Sequence, residues 1–472
     1  MMPNQIRKTR YHSYGNMYSS QAYIHYPKTI DEIRHILQIA KIAGQKITLA
    51  GTFHSFDKQN SGNDIVISMK KFTKIKYLPN EHCIEVEPGV RWAAIVKFAY
   101  KHHCVPYAFI TGSQPTVGGT LSAHTNCVFT SGAGKEGKYC IEIDLLCTNG
   151  DIITCSRHQN SDIFYGAISG LGMLGIIVRA KIKLMYIGSP FAIKITTRTY
   201  HEVADLENRF SLRAIDNIQK LEELKSEASL YYYHEGKYKF VIYNREYERT
   251  GTREITHFNI YLYLASILAF VIRFFPNYAN KIMAADENKN DANKMLLRGL
   301  RRIFYGTFWA EADYIWMKYI SKCLKIFGYK SKLYQNSYFI PLKGMQVTAF
   351  VQQVCTLLQK YNLATAMFDV MYIPKDEPFI LSASRYTDGF YVNTTFFDTT
   401  NVPNLMQFYS ELNVICRQMD GKINLVKNIF IDNALLQDMY KQEVNELFEL
   451  KKITDPEGLI ASNFFKEYFA KG

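Results

Sequence analysis

The sequence predicts an α+β protein of two domains, the first of which ends near residue 187. The chain has 472 residues, of which 47% are hydrophobic and 21% are charged, and this composition suits two or three globular domains. Strand and helix patterns alternate along the first domain. Near residue 190 the pattern changes to long alternating strands followed by a basic, aromatic stretch. We therefore expect an N-terminal α+β domain and a C-terminal domain whose sheet is flanked by helices.

The first domain opens with a predicted strand and helix. The strand QAYIHYP is stopped by Pro27, which favours a place at a sheet edge. In the amphipathic helix TIDEIRHILQIAKIAG, Thr29 is the expected N-cap, Glu32 stands at the capping-box position and Gly44 ends the helix. Strands are then predicted at KITLAG, DIVISMKKF and CIEVEPGV, with a helix at WAAIVKFAYKHHC.

A region rich in Gly, Ser and Thr, residues 111–137, follows these elements. After it, IEIDLLCTNGDIITC predicts a hairpin in which Asn149-Gly150 indicates a type I′ turn. A short helix, SDIFYGAISG, and a strong strand, IIVRAKIKLMYI, complete the domain.

The second domain is predicted from the same two periodicities. Its expected strands are AIKITTRTY, LYYYHEGKYKFVIYNREY, NSYFIPL, FDVMYIP, FILSASRY and FYVNTTFF. Its expected helices are MQVTAFVQQVCTLLQKYN, PNLMQFYSELNVICRQM and IFIDNALLQDMYKQEVNELFELKKI. We divide the chain into residues 1–187, residues 188–402 and a mainly helical segment, residues 403–472.

The charge balance is basic, with 56 Lys and Arg against 43 Asp and Glu and a net charge of +13. Together with 34 Tyr and 30 Phe, this charge raises the hypothesis of a nucleic-acid partner. The basic residues are spread along the chain, which favours an ordinary basic surface and no nucleic acid. Nine scattered cysteines without a CxxC pair exclude a disulfide scaffold and suit a reducing compartment.

One apolar run, residues 258–272 (FNIYLYLASILAFVI), raises the question of a membrane. It is shorter than the roughly 18–20 residues that span a bilayer. It is either a buried helix or a patch that enters one leaflet, with the arginines of the basic stretch at 257–330 meeting lipid headgroups. The N-terminus has no apolar stretch after its charges, so no secretory signal is expected. We expect a cytoplasmic protein, with peripheral membrane contact as the alternative.

Two motifs are set aside on their context. Gly170 to Gly175 fits G-x-G-x-x-G, but a helix precedes it and a strand follows, the reverse of a dinucleotide-binding crossover. His102, His103 and Cys104 are adjacent at a helix end and point in different directions, so we expect no metal site there.

Two loops rich in glycine and hydroxyl groups carry the most information. The first is Leu49 to Phe56 (LAGTFHSF), and the second is Gly112 to Asn126 (GSQPTVGGTLSAHTN). Small residues let backbone N–H groups approach phosphates closely, and Ser and Thr hydroxyls add donors. Two such loops folding over one extended ligand would suit a dinucleotide.

Taken together and in order, these segments resemble the vanillyl-alcohol oxidase type of flavoprotein, which has a bipartite, PCMH-type FAD-binding domain of two α/β subdomains. The resemblance covers nearly all of residues 20–187, and LKKITDPEGLIASNFF resembles the family's closing K-x-D-P-x-G element. The most similar branches are the aldonolactone and alditol oxidases and the decaprenylphosphoryl-β-D-ribose oxidase group. The resemblance implies that FAD contacts Ala50, Gly51, Thr52, Phe53, His54, Ser55, Gly112, Ser113, Thr116, Val117, Gly118, Gly119, Ser122, Ala123, His124, Asn126, Gly175 and Ile176.

The resemblance also implies particular roles for a few residues. His54 stands where the lactone oxidases bond a histidine covalently to the flavin, and the alternative is a histidine that lies over the ring without a bond. In DGKINLVKN, Lys427 stands at the place of an active-site lysine and Asn424 at that of a tyrosine. Asn126 replaces the family's histidine, which leaves the substrate in doubt. Cys127 is not at the position of a second covalent link.

The resemblance implies an FAD-dependent oxidoreductase that removes hydride from a carbon bearing a hydroxyl. The expected substrate is a sugar, sugar lactone, polyol or lipid-linked sugar, with Lys427 handling the hydroxyl proton. Oxygen, a quinone or a protein could accept the electrons. Two alternatives stay open: a membrane-associated reductase of a prenyl- or sterol-like double bond, and a non-catalytic module that binds flavin or nucleic acid.

Overall fold

The computed structural model describes residues 7–187, 192–200, 225–234, 237–248 and 332–469, apart from residues 109, 111, 113, 128, 364, 366 and 398–400. Ser113 and the apolar run at 258–272 therefore lie outside the described residues. Within the described part of the chain, no helix is both long enough and apolar enough to cross a membrane.

The described elements alternate between strands and helices, as expected of an α+β protein. The strands are β1 (Thr9–His12), β2 (Ser19–His25), β3 (Ile47–Ala50), β4 (Ile65–Ser68), β5 (Ile75–Leu78), β6 (Cys83–Val86), β7 (Cys104–Pro106), β8 (Cys140–Leu146), β9 (Ile152–Ser156), β10 (Ile176–Tyr186), β11 (Ala192–Tyr200), β12 (Lys225–His234), β13 (Lys237–Glu248), β14 (Leu333–Pro341), β15 (Met367–Ile373), β16 (Gly389–Phe397) and β17 (Lys422–Ile423). The helices are α1 (Ile30–Ile42), α2 (Trp92–Lys101), α3 (Val117–Ala123), α4 (Thr130–Ala133), α5 (Ser161–Ala167), α6 (Gln346–Lys360), α7 (Val402–Gln418), α8 (Asn433–Thr454) and α9 (Asn463–Tyr468).

These strands form three sheets in the described part of the chain. The first has the order β1-β2-β4-β3, and the second the order β5-β6-β10-β8-β9 with β7 paired to β10. The third, in the C-terminal half, has the order β11-β13-β12-β15-β16-β14-β17. The α+β prediction is confirmed. The expected edge position of β2 is wrong, because β1 pairs antiparallel with β2 and becomes the outer strand.

Helix α1 begins as its sequence predicts. The Thr29 hydroxyl accepts a hydrogen bond from the Glu32 N–H at 3.2 Å, and the Glu32 carboxylate accepts one from the Lys28 N–H at 2.7 Å. The first contact satisfies an amide that the first helical turn leaves without an intrahelical partner, and the second fixes the residue before the N-cap. Gly44, just after the helix, has the left-handed φ of +62° that favours glycine.

The β8–β9 hairpin is confirmed, but its predicted type I′ turn is wrong. A type I′ turn requires positive φ at both central residues, and only Gly150 of the pair Asn149-Gly150 has it, at +94°. The connection is longer, running from Cys147 to Asp151, with the Gly150 N–H bonded to the Cys147 carbonyl at 3.0 Å. The glycine therefore relieves one left-handed position in a longer loop.

The segment FILSASRY, predicted as a strand, is irregular. Its apolar residues Phe379, Ile380 and Leu381 are buried, which explains the strand-like pattern. Its backbone is instead closed by local bonds, such as that from the Asp376 N–H to the Ser384 carbonyl at 3.0 Å. This segment carries polar groups into the site described below.

The C-terminal segment returns to the first sheet. Ile460 forms a parallel bridge with Ile47 of β3, and the Ile47 N–H donates to the Leu459 carbonyl at 2.9 Å. Asp455 organises this turn, because its carboxylate accepts the N–H groups of Leu459 and Ile460, each at 2.8 Å. The end of the chain therefore packs beside the strand that leads into the first glycine-rich loop.

Candidate functional site

The first loop follows β3 directly, and its backbone turns at Phe53. Among the described residues, the N–H groups of Gly51, Thr52 and Phe53 have no hydrogen-bond acceptor. Phe53 has the left-handed φ of +60°. Successive amides in such a turn form a concavity that binds anions. The loop therefore fits a pyrophosphate.

The second loop touches the first at two places. The Thr52 hydroxyl donates to the Gln114 carbonyl at 2.8 Å. A Cβ added at Gly51 would lie 2.1 Å from the Thr116 hydroxyl oxygen, so only glycine allows this approach. The two loops predicted from the sequence are brought together, with Gly112 in the irregular stretch that leads into α3.

Helix α3 joins the second loop to the turn at 169–175. At its start, the Val117 and Gly118 N–H groups donate to the Val90 and Pro88 carbonyls at 2.9 Å, which fixes the helix to the preceding segment. At its end, the Ser122 carbonyl accepts the Leu171 N–H at 2.8 Å. The turn that resembles a dinucleotide fingerprint therefore supports the second loop.

Gly175 and Ile176 sit at the start of β10, beyond this turn. A Cβ at Gly175 would lie 2.9 Å from Leu145 of β8, so the glycine lets β10 pack closely on its neighbour. Ile176 pairs with Leu146 and is buried. Both residues pack within the sheet, and Gly119 is the third residue of α3.

His54 lies in the first loop against an aromatic ring. Its imidazole stacks on Tyr14 with centroids 4.9 Å apart and 24° between the planes. Its Nδ1 is 3.2 Å from the Thr52 hydroxyl oxygen and 3.3 Å from the Thr52 carbonyl oxygen. Since a carbonyl only accepts and the Thr52 hydroxyl proton points to Gln114, Nδ1 carries the imidazole proton.

Lys427 and Asn424 both lie in the segment between β17 and α8. The Lys427 ammonium donates to Gln335 at 2.8 Å and lies 4.2 Å from the centre of the Phe56 ring. Asn424 is buried, and its N–H donates to the Ser337 carbonyl at 2.8 Å. Strand β14 supplies both partners, so the third sheet positions both predicted catalytic residues.

Three polar contacts tie this segment to the first loop. The Asn428 amide donates to the Phe56 carbonyl at 2.9 Å, and the Gln59 amide donates to the Leu425 carbonyl at 2.7 Å. The Asp57 carboxylate makes the third contact, because it accepts a hydrogen bond from the Ile429 N–H at 2.8 Å. Asp57 is fully buried, and burial raises the pKa of its carboxyl to about 6. The first loop and the lysine segment are therefore held together across most of the chain length.

A small cavity lies where the second loop meets the C-terminal half. His124 and Asn126 of the loop, Asn424 of the lysine segment, and Lys135, Ser382 and Tyr391 are among its lining residues. Its volume is about 10 Å³, roughly the space of one water molecule. It thus brings predicted cofactor residues and one predicted catalytic residue to a common polar surface.

Sequence reasoning missed the charged group at this cavity. Asp376 accepts hydrogen bonds from His124 Nε2 at 2.5 Å and from the Ser382 hydroxyl at 2.9 Å, and its carboxylate is 3.1 Å from the Lys135 ammonium. The indication in the sequence was that Lys135 and Glu136 are the only Lys, Arg, Asp or Glu residues in the stretch 111–137. The partner, Asp376, had no such indication.

Burial dominates the electrostatics of the histidine in this group. It lowers the pKa of His124 despite the attraction of Asp376, so the imidazole is neutral. The Gly137 N–H donates to His124 Nδ1 at 3.3 Å, which leaves the proton on Nε2, facing Asp376. Among the described residues, no group of three or more His, Cys, Asp or Glu suits a metal ion.

Two family models match the chain in succession. An FAD binding domain matches residues 21–156, and a D-arabinono-1,4-lactone oxidase domain matches residues 281–468. The first match includes both glycine-rich loops, and the second includes Asn424 and Lys427. The open amides and the glycine contact of the first loop fit the cofactor that the first match implies.

Curated relatives share about a third of the chain. Cytokinin dehydrogenase 2 of Arabidopsis thaliana is 29% identical over 179 residues, which are 37% of this chain and 35% of that protein. Cytokinin dehydrogenase 9 of Oryza sativa subsp. japonica is 30% identical over 156 residues, 32% of this chain and 30% of that protein. An uncharacterized oxidoreductase, ORF5 in the fasciation locus of Rhodococcoides fascians, is 26% identical over 159 residues, 34% of this chain and 36% of that protein. The chain therefore spans about a third of the length of these relatives.

Proposed function

Since the chain carries a PCMH-type FAD-binding domain followed by a D-arabinono-1,4-lactone oxidase domain, we propose that it is an FAD-dependent oxidoreductase that oxidises a hydroxyl-bearing carbon. The substrate class we propose is a sugar lactone or polyol, with a lipid-linked sugar as the competing choice. When bound, FAD supplies a hydride acceptor at its N5 atom.

The attachment of the lysine segment to the first loop is the observation that supports this proposal most. Lys427 lies against Phe56, two residues after His54, and the hydrogen bonds of Asn428 and Gln59 fix its backbone there. An ammonium at this place can hold a substrate hydroxyl and stabilise its oxygen as the proton leaves. Asn424 offers an amide at the neighbouring cavity.

The Gln335 side chain sets the direction of the Lys427 ammonium. It accepts from Lys427 at 2.8 Å and also donates to the Thr395 hydroxyl at 3.1 Å. Thr395 of strand β16 therefore fixes the Gln335 amide, and the Gln335 amide in turn orients the Lys427 ammonium. This arrangement favours a positioned proton-handling group over a surface lysine.

Anaerobic reduction of the bound flavin tests the proposal. The purified protein, loaded with FAD, is mixed with D-arabinono-1,4-lactone, a polyol, a prenyl-phosphosugar and a cytokinin, the last because of the curated relatives. Bleaching by the lactone or polyol supports the proposal. Bleaching by the cytokinin alone contradicts the substrate class, and bleaching by NADPH alone favours the double-bond reductase. A protein that binds no FAD contradicts the whole proposal.

We also propose that the run at 258–272 contacts a membrane surface if the substrate is lipid-linked. The support is its apolar composition beside basic residues. Co-sedimentation with anionic liposomes, compared between the wild type and a variant with charges in this run, tests it. Equal binding of the two proteins contradicts the membrane contact.

A further inference from the structure

A turn near the N-terminus lies against the first glycine-rich loop. This N-terminal turn, residues 13–18, joins β1 to β2. Its own hydrogen bonds close it: the Ser13 N–H donates to the Tyr18 carbonyl at 2.9 Å, and the Tyr18 N–H donates to the Ser13 hydroxyl at 3.2 Å. At its tip, Asn16 has the left-handed φ of +56° and donates its N–H to the Ser13 carbonyl at 2.9 Å. The backbone of the turn is therefore held by bonds within the turn itself.

Tyr14 attaches this turn to the first loop. Its N–H donates to the Ser55 carbonyl at 2.8 Å. Its ring stacks on the His54 imidazole with centroids 4.9 Å apart, and it meets the Phe56 ring edge-on with centroids 5.1 Å apart. Stacked and edge-on contacts between aromatic rings are both favourable. Tyr14 therefore contacts three successive residues of the loop, one through its backbone and two through its ring.

Gly15 attaches the same turn to the third sheet. Its carbonyl accepts a hydrogen bond from the N–H of Leu333, the first residue of β14, at 2.9 Å. A Cβ added at Gly15 would lie 2.6 Å from the Leu333 carbonyl oxygen, so a larger residue would push the turn away from the strand. Strand β14 also carries Gln335, the acceptor of the Lys427 ammonium. The turn is therefore held between the first loop and the strand that orients the lysine.

The aromatic contacts connect the two residues on which the proposed function depends. The Phe56 ring that meets Tyr14 also lies 4.2 Å from the Lys427 ammonium. A continuous row of touching side chains therefore runs through His54, Tyr14, Phe56 and Lys427. A ring within such a row determines the separation of its ends, because closely packed side chains transmit a displacement to their neighbours.

We propose that Tyr14 is a positioning residue that holds His54 for the cofactor and Lys427 for the substrate. The inference rests on the function proposed above. Tyr14 acts through its neighbours: its ring fixes the plane of the imidazole directly and the place of the ammonium through Phe56. Gly15 fixes the ring in turn, because it ties the backbone of the turn to β14.

The first test measures FAD affinity and needs no substrate. Full-length apo-protein from riboflavin-starved cells is titrated with FAD, and quenching of the flavin fluorescence gives the initial dissociation constant. Tyr14→Leu keeps an apolar side chain without the flat ring and should weaken FAD binding about fivefold, the effect of losing one aromatic contact. Tyr14→Phe should retain most of the affinity. In a His54→Ala background, Tyr14→Leu should weaken binding no further, because the ring acts through the imidazole.

The second test measures anaerobic reduction of the bound FAD by the substrate found by screening. Tyr14→Leu should slow reduction about tenfold at saturating substrate, while the substrate concentration for half the maximal rate changes less than about twofold. Tyr14→Leu combined with Lys427→Met should be as slow as Lys427→Met alone. Tyr26→Leu, at an exposed position after β2, is the control for both tests and should match the wild type.

Three results would overturn the inference. They are a wild-type affinity or rate in Tyr14→Leu, an effect of Tyr14→Leu that is equally large in the His54→Ala and Lys427→Met backgrounds, and equal shifts in the Tyr26 control. If Tyr14→Leu fails to fold, Gly15→Ala decides: displacing the turn from β14 should weaken FAD binding and slow reduction, and unchanged values would overturn the inference. If no alcohol or lactone reduces the wild type, the proposed function is wrong, and the FAD affinities alone decide the role of Tyr14.

Discussion

The carboxylate of Asp57 accepts a hydrogen bond from the backbone N–H of Ile429, with 2.8 Å between Oδ2 and N and 372 positions between the residues. Its other oxygen accepts the Lys58 N–H at 2.7 Å. One buried carboxyl thereby joins the first cofactor loop to the segment that carries Lys427. The proposed cofactor site and the proposed catalytic lysine depend on each other through this contact.

Asp57→Asn should change the pH dependence of stability. Burial raises the pKa of this carboxyl to about 6 in the folded protein, above its unfolded value of 3.8. The folded state therefore holds the proton more tightly, and the stability from this group falls as the pH rises from about 4 to 6. Relative to the wild type, Asp57→Asn should gain about 2 kcal/mol between pH 4 and pH 7.

Urea unfolding at several pH values measures this difference. Asn retains only one carbonyl acceptor for the two N–H groups, which should cost about 1 kcal/mol at every pH. Asp162→Asn, at an exposed position, is the control and should show a constant difference. A constant difference for Asp57→Asn as well would show that its carboxyl is not shifted by burial.

Lys427→Met should slow reduction of the bound FAD about 100-fold or more, since a positioned proton-handling group contributes that much. FAD should remain bound. Gln335→Leu should have a smaller effect, about tenfold, because the ammonium remains but loses its orienting partner. Stopped-flow absorbance with the substrate found by screening measures both rates. Lys441→Met, at an exposed position, is the control; a Lys427 variant as fast as this control would remove the lysine from the reaction.

The sequence predicts the parts of this protein that local patterns define. The sequence predicts the start of helix α1, because a helix cap needs particular residues, here Thr29 and Glu32, three positions apart. It also predicts the two glycine-rich loops, because close approach of two backbones requires glycine. FILSASRY was not predicted correctly, because its buried Phe379 and Leu381 have a strand's hydrophobicity while its Ser382 accepts a hydrogen bond from the distant Lys135. The local hydrophobic pattern cannot distinguish a strand from an irregular segment whose apolar residues are buried.

The charged group at the cavity depends on contacts that a single sequence does not show. Lys135 and Ser382 are 247 positions apart, and His124 and Asp376 are 252 apart. The resemblance implies a cofactor contact for His124, and the fold adds two partners from far along the chain: its Nε2 bonds to Asp376 and its ring stacks on Phe379, with centroids 3.9 Å apart. The residue types indicate which side chains can carry charge, but only the fold shows that Lys135 bonds to Ser382 and His124 to Asp376.

The resemblance implies a covalent bond between His54 and FAD, with non-covalent contact as the alternative, and His54→Ala tests which of the two holds. Nδ1 lies 3.2 and 3.3 Å from the hydroxyl and carbonyl oxygens of Thr52, so Nε2 is the ring atom that we expect to be bonded to the flavin. Acid-precipitated wild-type protein should stay yellow, and precipitated His54→Ala should be colourless while the native variant still binds FAD. Tyr14→Phe keeps the stacked ring and should stay yellow. A wild-type precipitate without colour would limit His54 to non-covalent contact.

Asp455→Ala should destabilise the protein by about 3–5 kcal/mol, the effect of leaving a buried charge without its partner. Lys451 forms an ion pair with Asp455, and its ammonium also donates to the Met173 and Ile460 carbonyls at 3.0 and 2.8 Å. Burial already lowers the pKa of Lys451, so losing the carboxylate should drive it towards the neutral amine. The double variant Lys451→Met with Asp455→Asn should recover part of the loss, because it buries no charge and keeps one acceptor for the closing turn. Urea unfolding measures the free energy of unfolding of both variants, provided that its dependence on urea concentration is the same as in the wild type. A loss below about 1 kcal/mol for Asp455→Ala would mean that the turn beside β3 is held by packing alone.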